Sequence, residues 1–269
     1  MAGTDHLMTG RAASARVARA SVAPSRASRV AAMGLALAQD LARLVVPVAC
    51  AGCLQLDVRL CDECAAPWWE EPFRAEEGAA RLLVLGRTPL PTWAVAELDG
   101  TAHVAIATWK EGGRRDLDRF FAAAAERAAG AIAPQLAQPL AAGHVAVVPV
   151  PSARSSVRRR GADLTALLAR ASARGLTRAG AKVSVANLLA PAGARSRGRS
   201  SSARWEAARV RARTSTAAAS ALLVDDVMTT GATLARASAA LEASGTAVVG
   251  ALVLAATPRR GASAGRALL

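Results

Sequence analysis

The chain has 269 residues, 52% hydrophobic and only 3% aromatic, with a formal net charge of +14. That is enough apolar content for one main domain with smaller additions, and the absence of any apolar run of about eighteen residues argues against a membrane span. The positive charge is carried almost wholly by arginine, Lys110 and Lys182 being the two lysines, and it favours anionic partners such as phosphorylated metabolites or nucleic acid.

Residues 1–30 are rich in Ala, Ser and Arg, with Asp5 their single acid. With little to bury, they read as a disordered basic extension. No apolar core with a cleavage site follows the N-terminal charge, so no secretory signal is expected and a cytoplasmic location is. Residues 31–80 read as a helix plus a small metal knuckle. Leu35, Leu37, Leu41, Leu44 and Val45 are spaced for one helix face within Met33 to Val46, which Pro47 stops.

Cys50-Ala-Gly-Cys53 and Cys61-Asp-Glu-Cys64 form a C-x2-C-x7-C-x2-C arrangement. Two such turns can aim four thiolates at one ion and leave no open position, which suits a structural Zn2+. A redox pair or an iron–sulfur cluster are the alternatives.

Residues 81–260 alternate strand and helix patterns. Leu82 to Gly86 and Trp93 to Leu98 read as short strands, and a helix is expected from Leu117 to about Ala133. Val145 to Val150 reads as a buried strand ended by Pro149 and Pro151. Ser152 to Gly161 then reads as a loop carrying Arg154, Arg158, Arg159 and Arg160, whose guanidinium groups suit a pyrophosphate; a solvated basic helix start is the alternative.

Asp163 to Arg174 reads as a helix and Lys182 to Leu189 as a strand. Pro191 to Thr216 is Gly/Ser/Arg-rich and reads as a mobile loop. The apolar run Ala221 to Val224 ends in Asp225 and Asp226, Thr229-Thr230-Gly231 makes a turn, and Ala232 to Ala243 continues as a helix. A helix N-terminus after such a turn is a seat for phosphate. Ala247 to Ala255 is the last strand, and residues 261–269 read as a flexible tail. The expected fold class is α/β, with a parallel sheet whose ligand loops lie beyond the strands' carboxyl ends.

The run Val224-Asp225-Asp226-Val227-Met228-Thr229-Thr230-Gly231-Ala232-Thr233 resembles the motif by which type I phosphoribosyltransferases bind 5-phosphoribosyl 1-diphosphate (PRPP). The resemblance implies that Asp225 and Asp226 hold the ribose hydroxyls and that Val227 to Thr233 wrap the 5′-phosphate. It further implies that Ser152, Arg154, Arg158 and Arg160 meet the pyrophosphate with Mg2+, and that the Pro191 to Thr216 loop closes over the reaction centre. The order of four-Cys knuckle, Trp109-Lys110-Glu111-Gly112-Gly113, Val148-Pro149-Val150-Pro151 with Arg158-Arg159-Arg160-Gly161, and acidic motif is similar to the ComF family, also called GntX-like.

Two functions follow as expectations. One is transfer of a phosphoribosyl group to an unidentified acceptor. The other, through the ComF resemblance, is a competence factor in DNA uptake that binds single-stranded DNA or a nucleotide without turnover and works with DNA-uptake proteins. Trp68, Trp69, Trp93, Trp109 and Trp205 are candidates for base stacking, with core packing as the competing role. His103 and His144 form no catalytic pattern.

Overall fold

The computed structural model describes residues 48–83, 88–152, 154–191, 210–212 and 219–258. All lie within the unit Val48–Leu269. The basic extension, the helix expected over Met33 to Val46, Trp205, most of the Pro191 to Thr216 loop and the C-terminal tail lie outside the described residues.

One six-stranded sheet organises the molecule. Its order is β1 (Phe73–Arg74), β2 (Thr92–Glu97), β8 (Ala247–Ala256), β7 (Ser220–Met228), β3 (Val145–Pro149) and β4 (Val183–Val185). Only the edge pair β1–β2 is antiparallel. A parallel sheet covered on both faces needs apolar side chains on both, which is why all five residues of β3 are buried and β7 runs buried from Ala221 to Asp226.

The two-residue period of a strand divides these side chains between two cores. Val145, Val147, Leu222, Val224, Leu252 and Leu254 share one core with α2 (Gly100–Lys110), α3 (Asp118–Ile132) and α6 (Leu164–Arg178). Ala146, Val148, Ala221, Leu223, Ala251 and Val253 share the other with α7 (Ala232–Glu242). Helices α3 and α6 cross so closely that a Cβ on Gly175 would stand 1.9 Å from the Glu126 carbonyl oxygen. Asp163 caps α6, its carboxylate accepting from the Ala166 amide at 3.1 Å.

The expected helix–strand alternation is present, with three corrections. Leu82 lies in a turn rather than a strand, its amide donating to the Ala79 carbonyl at 2.8 Å; residues 84–87 lie outside the described set. Ser152 to Gly161 is not a loop: Arg154–Arg160 form the short helix α5. No glycine or proline interrupts those residues, arginine is a good helix former, and Gly161 ends the helix at φ +69°.

The strand expected over Lys182 to Leu189 is split. Its first part is β4, and the Ala186 amide still bonds the Val147 carbonyl at 3.1 Å. Beyond a turn at Ala186 to Leu188, β5 (Leu189–Pro191) pairs antiparallel with β6 (Val210–Ala212) as a separate ribbon.

Candidate functional site

Strand β7 carries the acidic pair to the carboxyl edge of the sheet. Asp225 and Asp226 are 9% and 6% exposed, and the Asp226 amide donates to Asp225 Oδ1 at 2.9 Å. Burial, with the charge of Asp226 added, holds the Asp225 carboxyl well above the usual carboxylate range. Lys110, the last residue of α2, places its Nζ 2.8 Å from Asp226 Oδ2.

Val227 and Met228 complete the strand, and the Met228 carbonyl accepts from the Thr257 amide at 2.9 Å. Thr229 and Thr230 are exposed in the bend that follows. Gly231 turns the chain at φ +74°, and a Cβ there would stand 2.7 Å from Leu82 Cγ. The Arg81 amide donates to the Thr230 carbonyl at 2.9 Å, so residues 79–82 brace the turn from outside. Ala232 and Thr233 open α7, whose N-terminus has no side-chain cap. Amides at such a terminus form an anion seat next to the carboxylates.

The second candidate segment leaves the same edge. Strands β3 and β7 are parallel neighbours with Pro149 opposite Val224, and the Val150 amide donates to the Val224 carbonyl at 2.9 Å. Ser152 follows at once, and Arg154, Arg158, Arg159 and Arg160 lie on α5. Ser152 and Arg158 line a cleft of about 340 Å3 together with Pro149, Pro151 and Asn187. Arg160 is half-buried, its Nε enclosed without a hydrogen-bond partner among the described residues, and Arg159 pairs with Glu111.

Lys110 and Glu111 were outside the set of functional residues read from the sequence, although each touches one part of it. The available signal was the run Trp109 to Gly113, which stands among the motifs that resemble the ComF family but carries no assigned role there. Three of the four described tryptophans, Trp68, Trp93 and Trp109, are core residues at 0–2% exposure, and Trp69 is the exposed one. His103 and His144 are exposed and lie outside the acidic site.

The four thiols form a separate cluster. Their sulfurs all lie within 4.8 Å of one another, with Cys50–Cys61 at 3.7 Å and Cys53–Cys61 at 3.6 Å. A tetrahedral ion with bonds of about 2.3 Å to sulfur needs edges near 3.8 Å, so the set could hold zinc. Burial works against ionisation of Cys50, but backbone amides, including those of Gly52 and Cys61 at 3.4 Å, outweigh it and bring the thiol to about 6. Burial and the neighbouring thiols push Cys64 up to about 12.

Residues 126–264 match the phosphoribosyl transferase domain. That span takes in β3, α5 and the β7–α7 edge and leaves out the four thiols and Lys110. Among solved structures, adenine phosphoribosyltransferase from Leishmania donovani is similar at 17% identity over 52% of this chain and 72% of that one. The TM-score of 0.26 is too low to bear on fold or function. No curated protein matches.

Proposed function

This chain belongs to the phosphoribosyl transferase domain family, and from that premise we propose that it binds PRPP at the β7–α7 edge and transfers the phosphoribosyl group. The observation that carries the reading is one of adjacency. A pair of buried carboxylates lies two residues before a Thr/Gly turn and an uncapped helix N-terminus, so hydroxyl acceptors and a phosphate seat share one edge.

Asp225 and Asp226 engage the ribose hydroxyls, and Val227 to Thr233 enclose the 5′-phosphate. Ser152, Arg154, Arg158 and Arg160 leave the sheet beside them, where they offset charge on the diphosphate as its bond to C1 breaks. The acceptor supplies the electron pair for the new bond at C1. Mg2+ favours hard oxygen donors; the Asp226 carboxylate and the diphosphate oxygens would supply them at this edge, and the ion would neutralise diphosphate charge.

The Cys50, Cys53, Cys61 and Cys64 sulfurs fit Zn2+ in number, type and spacing, in a structural role. Together with the order of motifs along the chain, this supports a ComF-like member of the family; to the same proposal belong the division into residues 1–30, 31–80, 81–260 and 261–269 and a cytoplasmic setting. Among the described residues no helix is long and apolar enough to cross a membrane. The alternative of single-stranded DNA and DNA-uptake partners has less behind it, since Trp68, Trp93 and Trp109 are committed to the core.

Calorimetric titration of the zinc-loaded protein with PRPP and Mg2+, beside Asp226→Asn, tests the reading. Binding by the parent and its loss in a folded variant are expected. Equal binding by both would remove the acids from the site.

A further inference from the structure

We propose that Lys110 is a positioning residue of the sugar-phosphate site, its ammonium orienting the Asp226 carboxylate to receive a ribose hydroxyl. The inference rests on the reading of that edge given above and adds a residue that lies outside the matched family domain.

The lysine is held as a preorganised group. It follows Trp109, which is 0% exposed and whose indole Nε1 donates to Asp118 Oδ1 at 2.8 Å. The apolar face Ala102, Ala105, Ile106 and Trp109 anchors α2 in the core, so the base of the Lys110 side chain has little freedom. Beyond it, Gly112 and Gly113 let the chain turn at once. A Cβ on Gly112 would stand 2.6 Å from the Thr108 carbonyl oxygen, and Gly113 has φ +69°. Glu111 on one side pairs with Arg159, and Arg114 on the other donates to the Ala49 carbonyl at 2.8 Å. Only the ammonium end of the lysine remains to be placed, and it lies on Asp226.

The chemistry explains why a cation belongs there. Asp225 and Asp226 are consecutive, buried and like-charged when both ionise, so an unpaired second carboxylate would be costly. An ammonium 2.8 Å from Oδ2 engages that oxygen, and a carboxylate retains further lone pairs that can accept from a sugar hydroxyl. A buried ion pair is weak evidence for stability; at the ligand edge, its contribution is a fixed acceptor direction.

Lys110→Met and Lys110→Arg are titrated calorimetrically, as zinc-loaded protein with Mg2+, against PRPP and against ribose 5-phosphate. Thermal midpoint and zinc content are measured on each. For Lys110→Met the expected result is a loss of about tenfold or more in affinity, of the same factor for both ligands because both carry the ribose, with zinc content unchanged. Lys110→Arg restores most of it.

No PRPP binding by the parent would overturn the site and this role together. Binding by the parent that survives Lys110→Met would overturn the role alone. A loss confined to PRPP would also overturn it, since the ammonium would then serve the diphosphate. Equal loss in a folded Lys110→Arg would show that the orienting charge is not what counts.

Discussion

Arg114 Nη1 donates a hydrogen bond to the carbonyl oxygen of Ala49 at 2.8 Å, tying the turn after α2 to the loop that carries the first thiol. The other end of α2 is tied to the same knuckle, for a Cβ on Gly52 would lie 2.7 Å from Cys64 Sγ and 3.2 Å from the Thr101 carbonyl oxygen. The segment that ends in Lys110 is therefore braced at both ends by the four-thiol loop. Metal removal should cost on the order of 10 kcal/mol locally and should weaken PRPP binding by a protein whose acids are untouched. Arg114→Ala should retain the metal and lower the thermal midpoint by a few degrees, for a loss of about 1–2 kcal/mol. Zinc content and differential scanning calorimetry check both.

Gly231→Ala should damage the site through the backbone. The left-handed φ of +74° disfavours any Cβ, and the new atom would meet Leu82 Cγ at 2.7 Å and Ala79 Cβ at 2.9 Å. Strain and overpacking together predict a loss of about 2–4 kcal/mol and weaker phosphate binding. Adding Leu82→Ala should recover the part of the loss that comes from the Leu82 contact and leave the Ala79 contact and the dihedral part, which urea unfolding of both single variants and the double variant would separate.

Gly175→Ala provides the contrast. At 1.9 Å from the Glu126 carbonyl oxygen, its Cβ would force α3 and α6 apart, at a cost of about 3 kcal/mol or more. Both helices belong to the core on the sheet face opposite α7, and Gly175 itself is in contact with α3 rather than with the β7–α7 turn. Stability should fall while PRPP affinity in the remaining folded protein stays within about twofold, as measured well below the melting transition.

Burial and the neighbouring Asp226 charge raise Asp225 in the folded state, which fixes the sign of one pH effect. Above the ordinary aspartate value of about 3.9 the unfolded chain gives up this proton while the folded chain keeps it. Stability therefore declines as pH rises from there toward the raised folded value. Asp225→Asn removes the group, so its stability advantage over the parent should grow as pH rises from about 4 and then level off. Urea midpoints of both proteins across that range measure it.

The β7–α7 edge was legible because its signals are local. An apolar run, two acids, a Thr/Gly bend and an Ala-rich helix lie within Ala221 to Ala243, and strand, turn and helix appear in that order. Four cysteines at x2-x7-x2 spacing were legible for the same reason. What could not be read was pairing across the chain: Lys110 with Asp226, Glu111 with Arg159, and Leu82 lying over Gly231. The Arg154–Arg160 segment reads as a loop from its charge and neighbouring prolines, whereas a stretch after Pro151 with four arginines and no glycine or proline before Gly161 propagates a helix. Leu189 reads as the end of the preceding strand and Pro191 as the start of a loop because their β6 partners lie on the far side of the Gly/Ser/Arg-rich segment.

Amide hydrogen exchange of the zinc-loaded protein, with and without PRPP and Mg2+, tests the central claim most directly because it reports position as well as binding. The account predicts slowed exchange in the peptide from Asp225 to Leu234, where the turn amides meet the 5′-phosphate, with a second protected stretch over Ser152 to Gly161. Unchanged exchange from Asp225 to Leu234 at saturating PRPP, or protection confined to the four-thiol loop, would contradict it.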